Sequence, residues 1–123
     1  MGLKETAKKL AVTAFKAAGN IVIQGEYYYA PDDGFSSSAP VFQTLDIVVD
    51  DKSSNKYVQQ KQEAIFGEKI LVTDLICLTP VNLCSYPIEA GATVSIDNKE
   101  YVVKGNPSTD PAEAIYTYLL RAV

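Results

Sequence analysis

The sequence has no histidine and no tryptophan among its 123 residues. Without histidine, Ser-His-Asp and Cys-His catalysis, His-ligated metals and a histidine pH switch are excluded. Cysteine is scarce as well. Cys77 and Cys84 are too few for a disulfide framework or a four-thiolate zinc site, and their spacing is not a redox C-x-x-C. They read as small buried hydrophobes in a reducing compartment. The seven glycines are dispersed, with neither G-x-G-x-x-G nor a P-loop, so no nucleotide phosphate cradle is expected. No apolar run approaches the ~20 residues of a membrane helix. The opening Met1-Gly2-Leu3-Lys4-Glu5 lacks the apolar core of a signal peptide. Met1-Gly2 with Thr6 fits the short N-myristoylation pattern, which chance also supplies often. Excess positive charge is missing too: the net charge of −4 argues against a surface built to grip phosphates.

What remains is enough for a core. Hydrophobic residues make up 47% and charged residues 21%, which suits one folded domain spanning residues 1–123. Residues 3–18 read as an amphipathic helix, with Leu3, Ala7, Leu10, Ala14 and Phe15 on one stripe and Gly19-Asn20 as the stop. Its lysines Lys4, Lys8, Lys9 and Lys16 read as a solvated face. From residue 20 the pattern turns to strands. Ile21 to Tyr29 alternates, as do Val41, Gln43, Leu45, Ile47 and Val49. Between them, residues 30–40 form a turn-rich loop around Phe35, and residues 50–56 a second polar loop.

Residues 57–67 read as a connection with at most a short helical turn. Ile70 to Leu78 is apolar on both faces, the mark of a buried strand. Asp74 interrupts it and must reach a strand end, a partner or solvent. Thr93 to Asp97 and Glu100 to Lys104 form a hairpin about Asn98-Lys99, with Val94, Ile96, Tyr101 and Val103 facing in. Residues 105–111 read as a loop, and the Tyr-Thr-Tyr alternation in Glu113 to Arg121 favours a last strand. The fold class expected is therefore mainly β: a small antiparallel barrel or sandwich of about six strands over residues 20–121, with one N-terminal helix and long mobile loops.

The chemistry-bearing residues are weak as catalysts. Asp32-Asp33 and Asp50-Asp51 sit in polar stretches where solvation keeps both carboxylates ionised, and no calcium-loop spacing is present. Ser36-Ser37-Ser38 has no histidine to activate it, and nothing marks a Ser-Lys dyad. Tyr27-Tyr28-Tyr29 is not one stacking platform, because Tyr28 points to the opposite face of a strand. No enzyme activity, cofactor or metal is expected.

Three segments share a cadence: Ile70-Leu-Val-Thr-Asp-Leu75, Pro87 to Val103, and Asp110 to Arg121. Together they resemble the small head–tail joining (head-completion, or stopper) proteins of tailed bacteriophages, the lambda-like type. Gly91, Val94, Ile96, Tyr101 and Val103 fall on that family's hairpin positions. Ala92 replaces its usual acidic residue, and Asn98-Lys99 stands where glycine is common. The resemblance covers roughly the last 55 residues of the chain. It implies a non-enzymatic small barrel that assembles as a homo-oligomeric ring below the portal, closes the head after DNA packaging and offers a surface to the tail. The implied partners are further copies of itself, portal or adaptor proteins, tail proteins, and genomic DNA passing through the lumen without sequence-specific binding; no membrane is involved. The implied location is the virion neck, after synthesis in the bacterial cytoplasm. Within that role the interaction residues expected are Asp32, Asp33, Phe35 and Ser37 in the first loop, and Asp50, Asp51 and Lys52 in the second. Leu3, Leu10 and Phe15 of the helix stripe are expected to pack on the barrel or on an adjacent ring. A tail-tube or tail-completion protein is the alternative within virion structure, and a small ligand-binding β-barrel the alternative outside it.

Overall fold

The computed structural model describes residues 2–18, 22–30, 39–50 and 56–123, without the side chains of residues 15–18. The elements run α1 (Leu3–Ala18), β1 (Ile23–Tyr29), β2 (Val41–Asp50), α2 (Lys56–Phe66), β3 (Leu75–Pro80), a 3-10 turn (Val81–Leu83), β4 (Thr93–Ile96), β5 (Lys99–Thr109) and β6 (Ile115–Ala122). The six strands close into a barrel in the order β1-β2-β3-β6-β5-β4, and every pairing is antiparallel. The mainly β expectation holds, as a barrel rather than a sandwich.

Period-two alternation fills the barrel. Tyr27, Leu45, Ile47, Val94, Tyr118 and Leu120 are all buried and pack on one another inside it. Gly25 belongs to this interior. A Cβ there would lie 2.8 Å from both Ile47 Cδ1 and Val94 Cγ1, so only glycine lets β1 come this close to its neighbours. Ile88 and Ala92, from the connection into β4, join the same cluster. Val94, Ile96, Tyr101 and Val103 face in as expected.

The turn of the β4–β5 hairpin sits one residue earlier than expected, at Asp97-Asn98. Both residues have positive φ, 50° and 66°, which gives the primed turn that matches strand twist. β5 then runs to Thr109, where a loop from Gly105 was expected. Between Lys104 and Ser108 the register shifts by two residues against β6, and Gly105 takes φ 69° in this bulge. Pro107 falls inside the irregularity, where no ladder donor is needed. Asp110 sets the start of β6: its Oδ1 accepts the Ala114 and Ile115 N–H groups at 2.7 and 3.1 Å.

Two expectations fail between β2 and β3. Residues 57–67 are not a connection but most of α2. Gln59, Gln60, Lys61, Gln62, Glu63 and Ala64 are good helix formers, and Gly67, at φ 67°, ends the helix by donating its N–H to the Glu63 carbonyl at 2.8 Å. The Glu63 side chain also holds the exit, accepting the Ile70 N–H at 2.8 Å. The strand expected from Ile70 starts only at Leu75. Leu71 to Asp74 is a turn instead, because the Asp74 carboxylate accepts the Leu71 N–H at 2.8 Å and the Asp74 N–H reaches the Leu71 carbonyl at 3.1 Å.

Among the described residues, the helices lie mainly against β3, β5 and β6. Phe66 at the end of α2 packs with Ile70, Ile76 and Leu119, on the outer faces of β3 and β6. α2 also abuts β5 at the bulge, where Gly105 gives room: a Cβ there would strike the Phe66 carbonyl. α1 lies against β3 and the 3-10 turn. Among the described residues, neither helix has more than weak contact with β1, β2 or β4.

Candidate interaction site

The buried polar groups hold the frame. Asp74 is 0% exposed, and the carboxylate it needed a partner for meets Arg121 of β6. Arg121 donates from Nε to Oδ1 at 3.1 Å and from Nη2 to Oδ2 at 3.0 Å, and Nη2 also reaches the Lys69 carbonyl at 2.8 Å. Glu68 lies 3.6 Å from Nη1. Hydrogen bonding to Asp74, reinforced by both carboxylates' charge, pushes the guanidinium pKa further up. This clamp ties the α2–β3 connection to the last strand.

Inside the barrel, Thr79 donates to the Asp46 carbonyl at 2.8 Å, which leaves the Tyr118 hydroxyl, 2.7 Å away, to donate to Thr79. The Tyr27 hydroxyl donates to the Pro87 carbonyl at 3.1 Å and accepts the Glu89 N–H at 2.9 Å, which pins the strap that leads to β4. Burial raises the pKa of Tyr27, Tyr116 and Tyr118. It pushes the Cys77 thiol up to about 12 and the Cys84 thiol up to about 11. At neutral pH these thiols are protonated and poor nucleophiles. Among the described residues, no group of three or more Cys, Asp or Glu gathers in a way that could hold a metal.

The surface is more distinctive. On the β1–β2 side, Tyr28 and Phe42 are cross-strand partners whose rings stand 4.9 Å apart at 50°. They are 40% and 67% exposed, so an aromatic pair faces solvent. Tyr28 points away from buried Tyr27 and half-buried Tyr29, as strand alternation requires. Two rungs along the ladder the face turns acidic. Glu26 accepts from the Thr44 hydroxyl at 3.2 Å, and Asp46 accepts from the Gln24 amide at 3.4 Å. Phe42 is legible in the sequence as an aromatic out of phase with Val41, Gln43 and Leu45.

Of the two places expected for the helix stripe, the barrel and an adjacent ring, the barrel does not take its leucines. Leu3 is 89% and Leu10 64% exposed. The face toward the barrel is instead the neighbouring one, with Ala11 buried and Ala7 and Val12 half-buried. Small residues allow close approach, and the Lys4–Glu113 ion pair at 3.0 Å marks the face edge near β6. With α1 seated on alanines, the two leucines one heptad apart are turned outward.

Of the remaining expected interaction residues, Asp50 closes β2 opposite Ile76 and is exposed. Asp32, Asp33, Phe35, Ser37, Asp51 and Lys52 lie outside the described residues, as does the side chain of Phe15. What the described residues offer is two apolar faces on different parts of one barrel. No protein-family model matches the chain, and no curated protein is similar to it.

Proposed function

We propose that this chain is a structural head–tail connector of a tailed phage or prophage, acting as a stopper ring below the portal. In this reading it closes the head after DNA packaging and presents the attachment surface to the tail. It acts without catalysis. One observation carries the reading: a barrel packed solid with side chains bears two exposed apolar faces, Leu3 and Leu10 on α1 and Tyr28 with Phe42 on β1–β2. A packed interior suits a scaffold. Two different faces on one subunit suit head-to-tail contacts between copies, the arrangement that closes into a ring when the rotation permits. The sequence cadence from Ile70 to Arg121 supports the same role, as does the N-terminal helix ahead of the barrel. The net charge of −4 suits a DNA conduit, since an acidic lumen repels phosphate where a basic one would hold it.

The test is genetic and visual. Deleting the gene from the genome that carries it should give tails without heads and heads that lose their DNA, in electron micrographs of lysates. Normal virions from the deletion would overturn the proposal.

A further inference from the structure

Charge is divided unevenly along this chain. The first helix, Leu3–Ala18, carries four lysines against Glu5 alone, a net charge of +3. From residue 17 to residue 51 there is no lysine or arginine, while six carboxylates fall in the same stretch. β1 and β2 both lie within it. On their outward face Glu26 and Asp46 are hydrogen-bonded to the neutral Thr44 and Gln24, and Tyr28 and Phe42 stand exposed beside them. β4, the other neighbour of β1, adds no cation. A basic helix with exposed leucines and an acidic sheet with exposed aromatics thus belong to one subunit. Within that subunit α1 rests on β3 and the 3-10 turn with Ala11 buried, so Leu3 and Leu10 are turned away from its own barrel.

We propose that the outward face of α1 docks on the β1–β2 face of a second copy of this chain, and that charge selects this pairing over the symmetric ones. Helix on helix sets +3 against +3, and sheet on sheet sets carboxylates against carboxylates. Both juxtapositions are repulsive, whereas helix on sheet is attractive. The two leucines, about 10 Å apart along the helix, close over the aromatic pair and shield its rings from water. Thr6, also exposed, lies between them on the same face. The contact uses different surfaces on its two partners, so it repeats from copy to copy in one direction. It supplies the subunit interface of the connector and rests on that reading for its purpose in the virion.

The experiment is a charge swap, read as the dissociation constant between copies from sedimentation equilibrium of the full chain. Thr6→Glu places a carboxylate on the helix face, and Thr44→Lys places an ammonium beside Glu26 on the sheet face; both positions are exposed. Each substitution alone should weaken association about tenfold, and the two in one chain should restore it to within about threefold of wild type. The wild type alone gives a second readout: raising salt from about 0.05 to about 0.5 M should weaken its association about tenfold, because screening removes the attraction between the faces. Monomers at every concentration, no rescue in the double variant, or association indifferent to salt would each overturn the contact. Normal virions from the gene deletion would remove the connector role and leave the contact standing; a failed swap beside headless tails would do the reverse.

Discussion

The two sides of this barrel use one sheet in opposite ways. On the β3–β6 side the outward residues Ile76 and Leu119 are buried with Phe66, so β3 is apolar on both faces there. On the β1–β2 side the outward residues include Gln24, Glu26, Thr44 and Asp46, which pair with one another in solvent. The inward faces are alike, and the difference lies entirely in what covers the outside. Covering decides how much a strand's sequence reveals: a strand covered on both sides loses its alternation, and a strand open on one side keeps it. It also decides where function can sit. The covered side is spent on holding α1 and α2, while the open side presents Tyr28 and Phe42 to solvent.

The comparison breaks most sharply at Ile76. An aspartate there buries an unpaired carboxylate under α2, and Ile76→Asp should cost about 4 kcal/mol or more. Thr44→Lys, at an outward position on the open side beside Glu26, should stay within about 0.5 kcal/mol. Urea unfolding of both variants checks the pair, and similar losses would mean that the sides do not differ. Next in size is the clamp. Asp74→Ala strips Arg121 of both its bonds to the buried carboxylate and frees the turn before β3, for a loss of about 3 kcal/mol in the same measurement.

A smaller effect separates interior from exterior by pH. A thiol whose pKa is raised in the folded state stabilises the protein below its unfolded pKa, and that contribution is lost as pH climbs toward the folded value. For Cys77 the window runs from 9.0 to about 12, with buried Tyr118 adding to it above 10.0. Unfolding free energy should therefore fall through this window, with Cys77 contributing about 1.4 kcal/mol per pH unit. Cys77→Ala should flatten the profile by that slope between pH 9 and about 11; an unchanged slope would place the loss elsewhere.

How far the sequence was readable follows the same division. The β1, β2 and β4–β5 segments alternate, and their inward residues are evident, because their outer faces are largely polar apart from Tyr28 and Phe42. The β3 segment carries no alternation, so nothing in its pattern separates Ile70, which belongs to the cluster with Phe66, from the strand proper, and the Asp74 turn is invisible without its partner Arg121, forty-seven residues on. α2 was obscured for a related reason. Phe66 is its only buried residue, so the helix lacks a long apolar stripe and announces itself only by propensity and by Gly67. α1 misled through its leucines. Pattern alone put the larger residues inward, while packing preferred the alanine face, where the backbone can come closer.

The claim at the centre is that the outward face of α1 meets the open β1–β2 face of another copy. Leu10→Asp and Phe42→Asp each change an exposed residue, so both variants should keep wild-type stability within about 0.5 kcal/mol. The measurement is the mass in solution by light scattering of the wild type, of each variant, and of the two variants mixed. The account predicts a multi-subunit wild type, monomeric single variants, and dimers in the mixture, because mixing leaves one intact pair of faces. A wild type that stays monomeric, or a mixture no heavier than its components, would contradict it.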